Sequence, residues 1–578
     1  MVHVPSAAPP RNMSAPSLDR TRFNSKPSIL LVVVDDAYRL LFAAYGSPLG
    51  LTPAIDAIAL SQNGAAMREA FSPSSVCSPA RLSILTGRYP SEVQRASFFR
   101  ANGTVPVGFD CCWGNRLADQ PTIHRLLRGA GYRTAFMGKA HMANHPEELT
   151  DRDARREPDE LLGALRGCLA RRAAGETTAE LFGDQACQQA YLRHQTGADE
   201  AAEISWTNID DINRRSGGAV DFFHEPERMA EAGRAFVGRA VDAGVPFFLH
   251  LNPTLLHLPL GGRMMERLTN QSGPWRAQRR AAFARFSAAN VSIDAVTGAA
   301  TATGSAAAWP PDLVLGEQLL LAPNLGYKDG AEKWIGAQAA AAAWLDASLQ
   351  PLLSAAARLE NAITIFTSDH GPSIVGKATP YDGGARVPLL LRWSKHAVSD
   401  VDVQVRHVDW LPTLAEVAGV ANVSASGGGD DGDGESRARA LWPTAFAAGP
   451  VRTAADPPVF LENWYNRAVR HNGWKLILAR IGSRCEAWCN LHTIVQNEVA
   501  ESRAASCPAA GSLINTAESC SGKLLHPHYC DAVQLYHLPT DPQEQHSLAG
   551  MAEHAARVHG LTKLLQRFEE RRAKTHTQ

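Results

Sequence analysis

Four short clusters carry residue types that do chemistry. Asp35 and Asp36 stand side by side and offer adjacent hard oxygen ligands, the kind a divalent cation such as Ca²⁺ or Mg²⁺ takes. Far downstream, Asp369 is followed by His370, an oxygen and a nitrogen ligand that could complete the same shell. Cys77 precedes Pro79 and Arg81 and opens an apolar stretch ending at Thr86-Gly87. That order puts a sulfur nucleophile at a helix N-terminus, where amide groups and a guanidinium favour an anion. His257 follows another apolar run. Each cluster alone has a bland counterpart: an Asp pair capping a turn, a buried structural thiol, a hydrogen-bonded core histidine.

These clusters need elements that bring them to one place. The run 28–34, SILLVVV, is continuously apolar and rich in β-branched residues, and it stops abruptly at Asp35-Asp36. Residues 362–368, AITIFTS, run the same way into Asp369-His370-Gly371, after an Ala- and Leu-rich stretch, 332–359, that reads as a helix. A third run, 246–251, leads to the loop carrying His257. Strands with polar carboxyl ends, alternating with helices, predict a large doubly wound α/β domain on a mixed, mostly parallel sheet. In such a fold ligands sit outside the carboxyl ends of the strands. Two segments, about 145–218 and 262–312, look like insertions outside the core, the first without a clear strand. Residues 424–438 combine Gly with acid and read as a flexible loop. Past it, strand-like runs at 459–461, 474–478 and 534–538 and a final helix from about 551 to 574 predict a smaller α+β subdomain over 439–578. Residues 1–26 read as poorly ordered, leaving 27–423 as the catalytic domain.

The stretch Cys77-Ser78-Pro79-Ala80-Arg81 with Thr86-Gly87 resembles the signature of family I sulfatases, C-x-P-x-R followed by T-G. Further blocks resemble the family in order: Asp35-Asp36, 131–134 leading to Gly138-Lys139-Ala140-His141, and His257-Leu258-Pro259 with Leu256 where a proline is usual. Then come 367–371, Gly376-Lys377, 381–388, His407–Leu414, 473–477 and 535–542. The resemblance, closest in flavour to iduronate-2-sulfatase-like and arylsulfatase-like members, implies an alkaline-phosphatase-like fold and hydrolysis of a sulfate ester. It implies that Cys77 is converted before folding to formylglycine by the formylglycine-generating enzyme. It implies a metal, calcium in the family, held by Asp35, Asp36, Asp369, His370 and the oxygen of modified Cys77. Arg81, Lys139, His141, His257 and Lys377 would line the sulfate pocket. One hydroxyl of the aldehyde hydrate attacks sulfur while His257 or Lys377 gives a proton to the leaving alcohol. The second hydroxyl, deprotonated with help from His141, then expels sulfate. The physical chemistry agrees, because a sulfate monoester needs cations and a metal around oxygens that gather charge as the S–O bond breaks. The substrate class this implies is a sulfated carbohydrate or aryl sulfate. Two other readings stand beside it: a phosphomonoester or phosphonate hydrolase of the same superfamily, and a non-catalytic protein that binds sulfated glycans with Cys77 unmodified.

Composition narrows partners and compartment. With 57 Lys+Arg against 58 Asp+Glu in 578 residues the net charge is −1, too balanced for a nucleic-acid binder. No run is long enough to span a bilayer, and no secretory leader is visible at the N-terminus. Against a cytosolic reading stand five glycosylation triplets, at Asn12, Asn102, Asn270, Asn290 and Asn422, and the cluster Cys485, Cys489, Cys507, Cys520 and Cys530, which suits local disulfides. Family members in eukaryotes are modified in the endoplasmic reticulum, so the resemblance implies the secretory pathway, lysosomal or extracellular. Of ten cysteines, nine remain once Cys77 is set aside, an odd number that cannot all pair within one chain. The oligomeric state is left open.

Overall fold

The computed structural model describes residues 26–93, 117–142, 159–176, 184–205, 225–257, 268, 273–289, 291–293, 300–302, 330–372, 376–398, 402, 404–420, 457–463, 466–480 and 526–575. A seven-stranded sheet forms the centre. Its strands are β1 (Ser28–Val34), β2 (Gly64–Ala66), β3 (Arg133–Lys139), β4 (Glu200–Ser205), β5 (Phe247–Asn252), β6 (Ala362–Ser368) and β7 (Leu389–Trp393), in the spatial order β2-β7-β6-β1-β5-β3-β4. From β6 to β4 neighbouring strands pair in parallel, while β7 is antiparallel to both β6 and β2. This is the mixed, mostly parallel sheet that the apolar runs predict.

The period-2 alternation of β1 shows how the sheet is covered. Leu30, Val32 and Val34 pack into one core with residues of α1 (Pro53–Leu60), α6 (Pro226–Asp242), α7 (Arg276–Ala289) and α8 (Gly330–Ala357). Ile29, Leu31 and Val33 pack into the opposite core with α2 (Cys77–Thr86), α3 (Ile123–Gly129) and α9 (Trp410–Val417). All but one of the β1 residues are buried, so the strand needs no polar face, and its first polar groups appear where it leaves the sheet.

The structure corrects the placement of both presumed insertions. Residues 145–218 supply the helices α4 (Asp159–Ala173) and α5 (Gln185–Thr196) and the edge strand β4. Leu161, Leu165, Tyr191, Leu192 and Ile204 form a core with Phe136 of β3 and Leu82 and Leu85 of α2. The segment looks polar because β4 is a short edge strand carrying two glutamates. One of them, Glu200, pairs with Arg133 and Arg239. Cys168 and Cys187 join α4 to α5 in a disulfide that the sequence reading did not foresee. Within 262–312, α7 packs along α8, with Ala282 buried and Arg279 Nε 2.9 Å from Glu227 Oε1. The loop 424–438, residues 1–25 and the five glycosylation triplets' asparagines lie outside the described residues.

The C-terminal subdomain is an antiparallel meander of β8 (Val459–Asn463), β9 (Asn466–His471), β10 (Trp474–Leu478) and β11 (Val533–His537). One face packs on Phe71, Tyr381 and Ala385 of the large domain. The other takes Leu561, Leu565 and Phe568 of α10 (Ala555–Thr575). Cys530 is disulfide-bonded, and the other four cysteines of the C-terminal cluster lie outside the described residues.

One glycine governs how closely the strands beneath the site approach. Gly138 pairs with Asn252 across β3 and β5 and adopts a φ of +95°. A Cβ there would stand 2.1 Å from the Asn252 carbonyl oxygen and 2.8 Å from Met229 Cε. Gly138→Ala combines a backbone clash with a conformation that L-residues avoid. It is expected to cost more than about 2 kcal/mol of stability, read from urea unfolding; an unchanged midpoint and slope would contradict the geometry.

Candidate active site

The carboxyl ends of β1, β5, β3 and β6 converge. Along a regular strand Asp35 and Asp36 would point to opposite faces. Asp36 instead takes the left-handed conformation, φ 55°, and its amide donates to Asp369 Oδ1 at 3.3 Å. The kink breaks the alternation and turns the second carboxylate to the same crevice, at a backbone cost on the order of 1 kcal/mol. On the facing strand end the Ala37 amide donates to Ser368 Oγ at 3.0 Å, and the Asp369 amide donates to the Val34 carbonyl at 3.1 Å.

Cys77 opens α2, a helix whose every residue is buried. Its Sγ is 3.6 Å from Asp35 Oδ1 and 3.1 Å from His370 Nε2. His370 Nδ1 lies 2.7 Å from the Gly371 carbonyl. A carbonyl only accepts, so Nδ1 carries the proton and Nε2 turns a lone pair toward Cys77, the arrangement of a metal-ligating histidine. Burial pushes the Cys77 thiol up, with Lys139 and Lys377 opposing. The unaltered thiol is therefore the reverse of an activated thiolate.

Three buried cations surround the carboxylates. Arg81 lies one turn into α2. Its Nε and Nη2 both reach Asp369 Oδ2 at 3.0 Å, and Nη2 is 3.7 Å from Asp35 Oδ2. Burial works against its charge, but Asp369 and Asp35 outweigh it and raise the Arg81 pKa. Lys139, the last residue of β3, donates to Asp35 Oδ2, and that carboxylate raises its pKa against burial. For Asp35 burial is the largest single effect and acts upward. Lys139, His257, Arg81 and Lys377 together overcome it and hold the carboxyl well below the usual range. Lys377 Nζ is 3.0 Å from Asp36 Oδ2 and donates at 2.9 Å to His257 Nε2, which is itself 3.7 Å from Asp36 Oδ2.

The His257 loop is tied to the carboxyl end of β1 by paired backbone bonds. The Asp35 amide donates to the Leu255 carbonyl at 3.2 Å, and the Leu256 amide donates to the Asp35 carbonyl at 2.8 Å. Leu256, the departure from the family pattern, is wholly buried and lies in the core.

Asp35, Cys77, Asp369 and His370 offer ligand atoms within 4.8 Å of one another, and so do Asp35, Asp36, Cys77 and His257. A donor set dominated by carboxylates suits a hard cation such as Ca²⁺. Nine of the ten residues singled out from the sequence are linked by these contacts. The tenth, His141, is buried two residues beyond Lys139 on the loop leaving β3. Sequence reasoning gave no role to Asn252, which lies next to the matched blocks and whose Oδ1 accepts from Arg81 Nη1 at 3.0 Å. It also missed the part played by His407, whose Nε2 stands 3.0 and 3.1 Å from the Ser368 and Asp369 carbonyls. Asn252 closes β5, and that strand-end position was its only signal.

Residues 27–420 match the family model described as Sulfatase. Steryl-sulfatase of Rattus norvegicus is 27% identical over 436 residues, 68% of this chain and 67% of that protein. Arylsulfatase A of Homo sapiens is 25% identical over 425 residues, 69% of this chain and 66% of that protein. The chain thus spans about two thirds of the length of these relatives, and a stretch of 127 residues, 21% of human steryl-sulfatase, matches at 33%. A solved structure described as in complex with its substrate D-glucosamine-2-N,6-O-disulfate shares the fold with a TM-score of 0.52 and 18% identity, over 95% of this chain and 98% of that one.

Proposed function

The chain belongs to the sulfatase family, whose members are sulfuric ester hydrolases, and from that premise we propose that it cleaves a sulfate ester of a carbohydrate or aryl alcohol with a formylglycine hydrate made from Cys77. The observation that carries this reading is the position of Cys77, at the first turn of α2, between the ligand face of His370 and Asp35 and ringed by Arg81, Lys139 and Lys377. The hydrated aldehyde would supply a nucleophile and a second hydroxyl with which to release sulfate. Asp35, Asp36, Asp369 and His370 would hold a divalent cation, calcium by family habit, which would draw charge from the sulfate oxygens.

The chain's own residues do the rest. Arg81, Lys139 and Lys377 are cations fixed by buried carboxylates, so they face a sulfate without having to reorganise. Lys377 and His257 share a hydrogen bond and therefore one transferable proton, which serves the leaving alcohol. His141, buried two residues beyond Lys139, is the base for release. Conversion of Cys77 requires the formylglycine-generating enzyme as a maturation partner. The bridge Cys168–Cys187 supports maturation in an oxidising compartment, the secretory pathway. No helix among the described residues is long and apolar enough to cross a membrane.

Chelation tests the reading. Dialysis of the mature protein against EDTA is expected to reduce p-nitrophenyl sulfate hydrolysis by at least about 100-fold, with recovery on added Ca²⁺ and heat of binding by calorimetry. Full turnover after chelation would remove the metal from the proposal. Preferential turnover of p-nitrophenyl phosphate would favour the phosphate-ester reading over the sulfate one.

A further inference from the structure

Arg81 is held on three sides, and the third holder is a neutral amide. Asp369 takes Nε and Nη2, Asp35 stands near Nη2, and Asn252 Oδ1 accepts from Nη1 at 3.0 Å. Both Arg81 and Asn252 are 1% exposed, so water does not substitute for either contact. A guanidinium has only donors, which fixes the Asn252 amide with its oxygen toward Arg81 and its nitrogen away. That nitrogen lies 3.4 Å from the Met137 carbonyl and 3.5 Å from the His250 carbonyl, at the ends of β3 and β5. The backbone of Asn252 is located in turn by Gly138, whose missing side chain leaves room for the Asn252 carbonyl.

We propose that Asn252 is a positioning residue of the sulfatase reaction, fixing the tilt of the Arg81 guanidinium relative to Asp369 and Cys77. The inference rests on the function proposed above. A carboxylate at this place would orient Arg81 equally well but would add a fourth buried negative charge beside Asp35, Asp36 and Asp369. The amide orients Arg81 and leaves its charge available to an incoming sulfate. Without any acceptor the Nη1 hydrogens are buried and unpaired, so the guanidinium swings toward whatever oxygen is nearest. Misplacing a charged group by about 1 Å at a reacting centre is worth on the order of 100-fold in rate.

The test uses purified mature protein, with Cys77 conversion checked by mass spectrometry, and the variants Asn252→Ala and Asn252→Asp. For Asn252→Ala, kcat on p-nitrophenyl sulfate is expected to fall about 10- to 100-fold, with the thermal midpoint lowered by about 2–6 °C, the protein still folded, and the calorimetric Ca²⁺ affinity little changed. Asn252→Asp restores the acceptor, so kcat is expected to return most of the way. Inhibition by inorganic sulfate weakens at the same time, because the added charge opposes the anion. A wild-type kcat in the alanine variant, or equal losses in both variants, would overturn the positioning role. A wild-type protein with converted Cys77 and no hydrolysis of sulfate esters would instead defeat the function beneath it.

Discussion

Exchanging Cys77 for alanine is expected to lower sulfate ester hydrolysis by at least about 10⁴-fold while leaving the fold intact. The side chain is wholly buried and small, so truncation removes a single sulfur atom, about the size of a methyl group, at a modest stability loss. Activity depends on it because no other residue in the cluster can supply the attacking atom. Asp35, Asp36 and Asp369 are engaged by cations, and the lysines are ion-paired. The accompanying measurement is mass spectrometry of the Cys77 peptide from wild-type protein, in which the aldehyde is expected in place of the thiol. Unconverted cysteine in a protein that turns over at full rate would sink the mechanism, and so would an active alanine variant.

Acid is expected to destabilise the protein steeply through two buried histidines to which the proposed chemistry gives no role. His124 of α3 and His250 of β5 stack at 5.6 Å between Phe136 and Phe248, and both are buried. Burial lowers the His124 pKa to about 3, with Arg125 adding to it and the Ala135 backbone opposing. His250 is pushed well below its ordinary value by burial, then by His124 and Arg81. Both rings are neutral in the folded chain and take up a proton on unfolding below about pH 6.5. The unfolded state therefore binds more protons, and stability present above that pH is lost as the pH falls, at about 1.4 kcal/mol per unit for each ring. Between pH 8 and pH 5 each ring costs about 2 kcal/mol, a large share of the roughly 5–15 kcal/mol typical of a folded domain. Asp346, raised to about 6, and Glu544, raised to about 7, both chiefly by burial, act in the opposite sense. The comparison that isolates the pair is urea unfolding of wild type and the double variant His124→Phe, His250→Phe at both pH values. Wild type is expected to lose about 4 kcal/mol more than the variant over that interval. Equal losses would dismiss the pair as an acid-sensitive element.

Much of the fold was legible because strands buried on both faces have little choice of composition. Ser28–Val34 and Ala362–Ser368 advertise themselves as central strands, and the abrupt change to Asp35-Asp36 and Asp369-His370 marks their carboxyl ends. The edge strand Glu200–Ser205 was illegible for the opposite reason: exposed on one side, it carries glutamates that pair with arginines elsewhere, and it reads as a loop. The charged residues of the candidate site stand out from their neighbours. Asn252 and His407 do not, because their contribution is a hydrogen bond to a group far off in the chain, and neither spacing nor residue type announces the partner. The left-handed turn at Asp36 was equally silent, since any Asp-Asp pair could end a strand without it.

The grip of the C-terminal meander on the loop before Cys77 sets an order of events in synthesis. Asn463 Nδ2 donates to Ser75 Oγ at 2.7 Å, Ser75 Oγ donates to the Thr379 carbonyl at 2.5 Å, and the Glu462 amide donates to the Pro73 carbonyl at 2.8 Å. These bonds close the segment leading into Cys77 from residues that leave the ribosome 386 positions later, 463 less 77. At about 5–20 residues per second that is an interval of roughly 20–80 s. Throughout it the loop before Cys77 lacks its final clasp, and the maturation enzyme proposed above would have a timed window in which to reach the cysteine. A premature stop before Val459 would leave the large sheet whole and this clasp unformed.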